Sequence, residues 1–216
     1  MMPLGPQLMR HFSISPQEFA LLVSAYSFSA GLSGFMVAFI ADRFPRKQIM
    51  LIAYIGFVVG TLACAMAPTF WLLMAARTLA GVFGGVLGAQ VMSIVGDVFE
   101  YERRARAMGV VMTAFSVASV VGVPLGLYLA TTFSWHAPFW FVGILGVVVI
   151  GLIWMYVPRL DGHLKERTQT KHHPLEAVTH ILHDSNQLRA LLLTSVIMLG
   201  HFSIIPFISP YLTINA

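Results

Sequence analysis

The sequence predicts an all-α protein, a polytopic bundle of membrane-spanning helices. Three observations lead there. Of 216 residues, 57% are hydrophobic and only 10% charged, with a mean hydropathy of +0.79, whereas a soluble domain carries about 25% charged residues to face water. The charges are separated by long uncharged runs, Phe19 to Ala41, Gln48 to Ala76 and Ala107 to Pro158, and a helix needs roughly 20 apolar residues to cross the hydrocarbon core. The lysines and arginines collect in alternate connections between those runs. A bilayer is therefore the main solvent of this chain.

The first run supplies one span at about 19–41. The second is interrupted by Ala67-Pro68-Thr69, and proline cannot continue a helix but readily starts one. It divides into spans at about 48–67 and about 70–95, the latter with Arg77 inside it. The third run is too long for one crossing and right for two. Its only polar, turn-prone patch is Thr131 to Pro138, which sets spans at about 107–130 and about 138–157. A sixth span follows Arg189 and runs to about Tyr211, with Pro206 and Pro210 suggesting a bend.

Orientation follows from the cations. Arg43, Arg46 and Lys47 follow the first span, Arg103, Arg104 and Arg106 the third, and Arg159, Lys165, Arg167, Lys171 and Arg189 the fifth. The opposite side holds only Arg10. The basic connections are expected in the cytoplasm and the chain in the inner (plasma) membrane. Trp71 and Trp135 fall at outer helix ends, and Trp154 and Tyr156 at an inner end, as interfacial aromatics do. The formal charge of +4 lies in short loops, so no nucleic acid is expected. Cys64 is the single cysteine, which excludes an internal disulfide and reads as a small packing residue. Met1 to Ser15 carries Pro3, Pro6 and Arg10 and is no secretory signal. An outside start without a signal suggests a preceding span, of which Met1 to Met9 reads as the tail.

The connection Ala41-Asp42-Arg43-Phe44-Pro45-Arg46-Lys47 resembles the loop between the second and third helices of the major facilitator superfamily, which follows G-x-x-x-D-R-x-G-R-R/K. Asp42, Arg43, Arg46 and Lys47 match, while Ala38 and Pro45 stand where the family has glycine. A carboxylate beside a helix N-terminus is stabilised by the helix dipole. The resemblance implies that this loop latches the outward-open state and that Asp97, at the end of the family's fourth helix, pairs with Arg46. As residues alone, the same loop is a basic cytoplasmic anchor. In the third span, Arg77-Thr78-Leu79-Ala80-Gly81 is similar to the family's R-x-x-x-G motif, whose arginine is linked to proton transfer. A charge within a span costs about 2.5–3.5 kcal/mol on insertion scales. Carbonyl bonding or snorkelling is the structural alternative for Arg77. Gly81/Gly85 and Gly84/Gly88 are small-xxx-small pairs suited to helix packing. Gly122-Val123-Pro124-Leu125-Gly126 is similar to the G-P-x-x-G signature of the family's proton antiporters, with Val123 intervening, and also reads as a plain kink.

The resemblance covers the chain from the end of the family's first helix to most of its seventh. It implies a partial bundle of about six transmembrane helices, the family's second to seventh. Residues 1–157 would be the amino-terminal half lacking most of its first helix. Residues 158–187 would be a cytoplasmic central loop with a short amphipathic helix, and 188–216 the first helix of the second half. The function implied is proton-coupled efflux of small molecules, drugs or sugars, by alternating access, with the full-length protein a monomer. A non-transporting scaffold, regulatory subunit or inactive fragment is the alternative. No enzyme is expected, because an intramembrane site needs a buried nucleophile with a dyad or a metal cluster, and no His/Asp/Glu set falls within the spans. No cofactor or metal is expected either. His180 and His183 share a helical face, but no cysteine or carboxylate cluster supports them. His201, midway along the last span, is a candidate cavity residue. Tyr26, Gln90, Ser93, Thr113 and Ser116 are further polar groups within the spans.

Overall fold

The computed structural model describes residues 4–41, 44–157 and 183–215, with side chains through residue 200. The described residues form seven helices and no strand: α1 (Gly5–Phe12), α2 (Pro16–Val37), α3 (Arg46–Ala65), α4 (Phe70–Val98), α5 (Tyr101–Thr132), α6 (Ala137–Tyr156) and α7 (Ser185–Asn215). Among them α2 to α6 are long and apolar enough to cross a membrane. Helices α1 to α6 make one compact unit, and α7 belongs to a second that is described by itself. The amphipathic helix expected in the central loop lies outside the described residues.

Local chemistry sets the helix starts. Ser15 caps α2 in a reciprocal box. Its backbone N–H and hydroxyl donate to Glu18 Oε2 at 2.7 and 2.9 Å, and the Glu18 N–H donates to Ser15 Oγ at 3.3 Å. Glu18 therefore lies inside the first turn, and α2 begins two residues before the charge used above as the boundary of the span. Beyond Val37 the chain leaves the helix for turns, so α2 also ends before residue 41. Thr69 caps α4 by accepting the Leu72 N–H at 3.3 Å. Helix α5 starts at Tyr101, well before residue 107. Its first turns carry Glu102, Arg103, Arg104 and Arg106 as helix, because charged residues continue a helix freely where it meets water.

Helix α4 is the hub, packed on α2 along one face and on α3 along another, while α6 packs on the far side of α3. The α2–α4 crossing is close enough to need glycine. A Cβ on Gly81 would strike Tyr26 O and Ser29 Oγ, and one on Gly85 would strike Ala30 O. Across the same crossing the Ser33 hydroxyl donates to Val82 O at 2.7 Å. Gly60 lies against the backbone of Ala80, and Gly56 lies under the ring of Phe83, giving α3 and α4 a similarly tight seam. Gly84 meets the Tyr26 hydroxyl, whereas Gly88 faces open space. The second small-residue pair is thus not a packing pair among the described residues.

A buried cluster closes the end opposite the basic one. Leu4 just before α1, Leu8 within it, Leu22, Cys64, Leu73, Ala76, Trp135 and Phe139 pack together there. Trp135 departs from the interfacial role expected for it: only 6% of it is exposed, and it stacks on His136 at 3.7 Å and meets Phe12 edge-on. The turn into α6 folds it inward under α1. Trp71, Trp154 and Tyr156 are well exposed, as interfacial residues should be.

Candidate functional site

At the basic end, three short contacts tie helix ends together. Arg46 Nε donates to Asp97 Oδ2 at 2.9 Å, joining the first turn of α3 to the last turn of α4. The Arg46 side chain is 7% exposed and that of Asp97 is 35% exposed, so the pair is half in and half out of water. Lys47 Nζ donates to the Trp154 carbonyl at 2.8 Å, which caps one of the free carbonyls in the last turn of α6 with a cation. Arg104 Nη2 and Nε donate to Gly96 O at 2.8 Å and Phe99 O at 3.0 Å, closing the C-terminus of α4 in the same way. No sequence motif pointed to Arg104 or to the Lys47–Trp154 contact. A cation three to eight residues beyond a helix end is the signal that would find the first. Asp42 and Arg43 of the same motif lie outside the described residues.

Toward the other end, Arg77 is mostly buried on α4. Its guanidinium carbon sits 4.6 Å from the centroid of the Tyr26 ring, a cation–π contact worth roughly 2 kcal/mol when desolvated. That offsets much of the cost of a cation at this depth. Arg77 Nε is buried with no hydrogen-bond partner from the protein. Arg77 and Tyr26 border a cavity of about 330 Å³ whose wall also includes Thr61, Cys64, Gly122 and Gly126. Of the alternatives open in the sequence, the carbonyl-bonded arginine is not what Nε shows. An arginine stays protonated, so Arg77 is a fixed positive charge that lowers the energy of any anionic or carboxyl group beside it.

The structure thus brings Arg46 and Asp97 together, and sets Arg77 apart from them on the same helix. Gly122 and Gly126 line the cavity and touch no described helix: a Cβ at either would meet nothing within 4 Å. Pro124 lies within a helix that continues through it. The sequence assigned these residues to packing and kinking. Gly122 and Gly126 do not fill the packing role among the described residues, because α5 makes few contacts with its neighbours, whereas Gly81 and Gly85 do. Of the polar candidates, Ser93, Thr113 and Ser116 return their hydroxyls to carbonyls of their own helices, Tyr26 reaches the cavity, and Gln90 is fully buried. His201 falls in α7, and its side chain lies outside the described residues. Among the described residues no cluster of three or more His, Cys, Asp or Glu could hold a metal.

Known proteins resemble this chain along most of its length. A family model described as Major Facilitator Superfamily matches residues 1–215. The MFS-type transporter YceJ of Bacillus subtilis (strain 168) is 28% identical over 202 residues, which is 93% of this chain and 48% of YceJ. YfhI of the same strain is 34% identical over 137 residues, covering 63% of this chain and 34% of that protein. A protein named as a probable sugar efflux transporter from Helicobacter pylori (strain P12) is 22% identical over 203 residues, 94% of this chain and 50% of its own length. The chain spans about half the length of the curated relatives that it matches most fully. Among solved structures, the inward-facing, unoccupied form of a bacterial homologue of the human lysosomal transporter Spinster shares the fold. It superposes with a TM-score of 0.60 at 21% identity, over 73% of this chain and 39% of that one. With its helices long enough to cross a bilayer and the family model matched from end to end, this chain is a multi-pass membrane protein of the Major Facilitator Superfamily.

Proposed function

We propose that this chain forms the amino-terminal part of a secondary transporter that exports small molecules by alternating access, with protons as the coupling ion. In this reading residues 1–157 are the bulk of one half, 158–187 the connection and 188–216 the start of the other. The basic end faces the cytoplasm, and the full protein works as a monomer in the inner membrane. The observation that carries the reading is the Arg46–Asp97 pair. It ties the cytoplasmic ends of α3 and α4 and holds the cytoplasmic entrance shut in one state. Export is favoured by the sugar-efflux name of the Helicobacter relative, and drugs or sugars are the substrate classes proposed. Arg77 acts as the fixed charge that tunes a proton-carrying acid, since it cannot give up its own proton.

The reading is tested in everted membrane vesicles from cells expressing the gene with its genomic continuation on both sides. A proton gradient, acid inside, should drive uptake of ethidium or of labelled glucose, and Arg77→Gln should abolish it. Uptake that ignores the gradient removes proton coupling from the proposal. No movement of either probe, with Arg77→Gln indistinguishable from the parent, favours the scaffold.

A further inference from the structure

The α3–α4 seam holds a polar side chain that no motif uses. Gln90 is 0% exposed, and neither its Oε1 nor its Nε2 lies within hydrogen-bond distance of a protein group. Helix register fixes its surroundings. At 3.6 residues per turn, residues seven apart share a face, so Phe83, Gln90 and Asp97 form one stripe along α4. Phe83 packs over Gly56 and Asp97 meets Arg46, so the stripe faces α3. Counting in antiparallel register between those contacts sets Gln90 opposite the stretch from Met50 to Ala53. Met50 and Ala53 are buried and apolar, and the backbone of α3 is bonded along its own helix.

An enclosed amide without a partner penalises the state that encloses it, while an apolar group of the same shape does not. Two turns along the same stripe, the Arg46–Asp97 pair favours that state. The stripe therefore carries two opposed effects on one interface. We propose that Gln90 is a positioning residue that opposes the Arg46–Asp97 pair and keeps the closed α3–α4 seam ready to open, an inference that rests on reading that pair as a latch.

The 216-residue chain in lipid nanodiscs supplies its own reporter. Cys64, the only cysteine, sits on α3 at 1% exposure in a cluster with residues of α1, α2, α4 and α6, so a maleimide reaches it only when the helices packed around it, α4 among them, part. Gln90→Leu and Gln90→Met are expected to raise the melting temperature and slow Cys64 labelling about tenfold, equivalent to ~1.4 kcal/mol in the opening equilibrium. Adding Asp97→Ala to Gln90→Leu should return labelling to near the parent rate. Labelling unchanged in both Gln90 variants overturns the proposal, since the amide is then an inert core defect. Lower stability, or loss of folding in both, overturns it as well, because that shows the amide has a partner. Slowing that Asp97→Ala does not reverse separates Gln90 from the pair and overturns the opposition. The latch itself is judged apart from this, by what Asp97→Ala alone does to transport in the vesicles.

Discussion

The Arg46–Asp97 pair is asymmetric, and that asymmetry has a measurable consequence. Asp97→Ala leaves the guanidinium of Arg46 at 7% exposure without its carboxylate, whereas Arg46→Met leaves a carboxylate that is already 35% exposed to water. Removing one member of a fully buried pair costs about 3–5 kcal/mol because the other charge is left uncompensated, and an exposed pair is worth about 0–1 kcal/mol. Asp97→Ala belongs nearer the first case, at about 2 kcal/mol once the partial solvation of the site and the remaining contacts of Arg46 are allowed for. Arg46→Met belongs nearer the second, at about 1 kcal/mol or less, since the methionine also keeps the apolar stem in place. For a chain of this size 1 kcal/mol moves the melting temperature by roughly 2–4 °C. Thermal unfolding in one detergent should therefore show a fall of about 4–8 °C for Asp97→Ala and less than half of that for Arg46→Met. An equal or larger fall for Arg46→Met refutes the reasoning, because the value of Arg46 then lies in contacts other than Asp97.

Two further outcomes follow from packing and charge. Gly85→Val should abolish a monodisperse peak in size-exclusion chromatography, since its side chain would enter the backbone of α2 at Ala30. Gly88→Ala, which meets open space, should instead raise stability by about 0.5–1 kcal/mol through helix propensity alone. At the other end of the bundle, burial first and then the charge of His11 hold the His136 imidazole below its ordinary value of 6.5. The folded state thus prefers neutral His136, so its contribution is complete above pH 6.5 and is lost as the pH falls through the lowered folded value. Melting temperatures recorded between pH 7 and 5 (a range set by ordinary histidine titration, about 6.5) should fall more steeply in the parent than in His136→Gln.

Much of the fold was legible because bilayer thickness and charge placement constrain it so strongly. Charge-free runs located α2 to α6, every boundary but the start of α5 falling within a few residues. Where boundaries missed, the cause was local: Glu18 is a capping carboxylate within α2, and Arg103 to Arg106 are helical turns extending past the apolar segment. Trp135 misled because an aromatic at a helix end is either a lipid anchor or a plug, and only the packing of α1 decides. The Arg46–Asp97 contact was reachable by resemblance, since it joins positions far apart in the chain. Gln90 was not. Its sequence shows a polar residue in a span, which reads equally as facing a cavity or sealed in a seam, and helix register against α3 is needed to choose.

Arg46 and Lys47 are adjacent in sequence yet serve different neighbours, one bonding α4 and the other α6. Successive residues on a helix point about 100° apart, so the first turn of α3 acts as a key cut for two locks at once. Inserting one residue after Lys47, or deleting Gln48, would rotate the first turn by that angle against the packed body of α3 and bring a lysine to the place of the arginine, or the reverse. Charge would be conserved, but the planar fork that meets a carboxylate and the compact ammonium that sits on a carbonyl are not interchangeable. The first turn of α3 should therefore tolerate substitution at Gln48 far better than any change in its length.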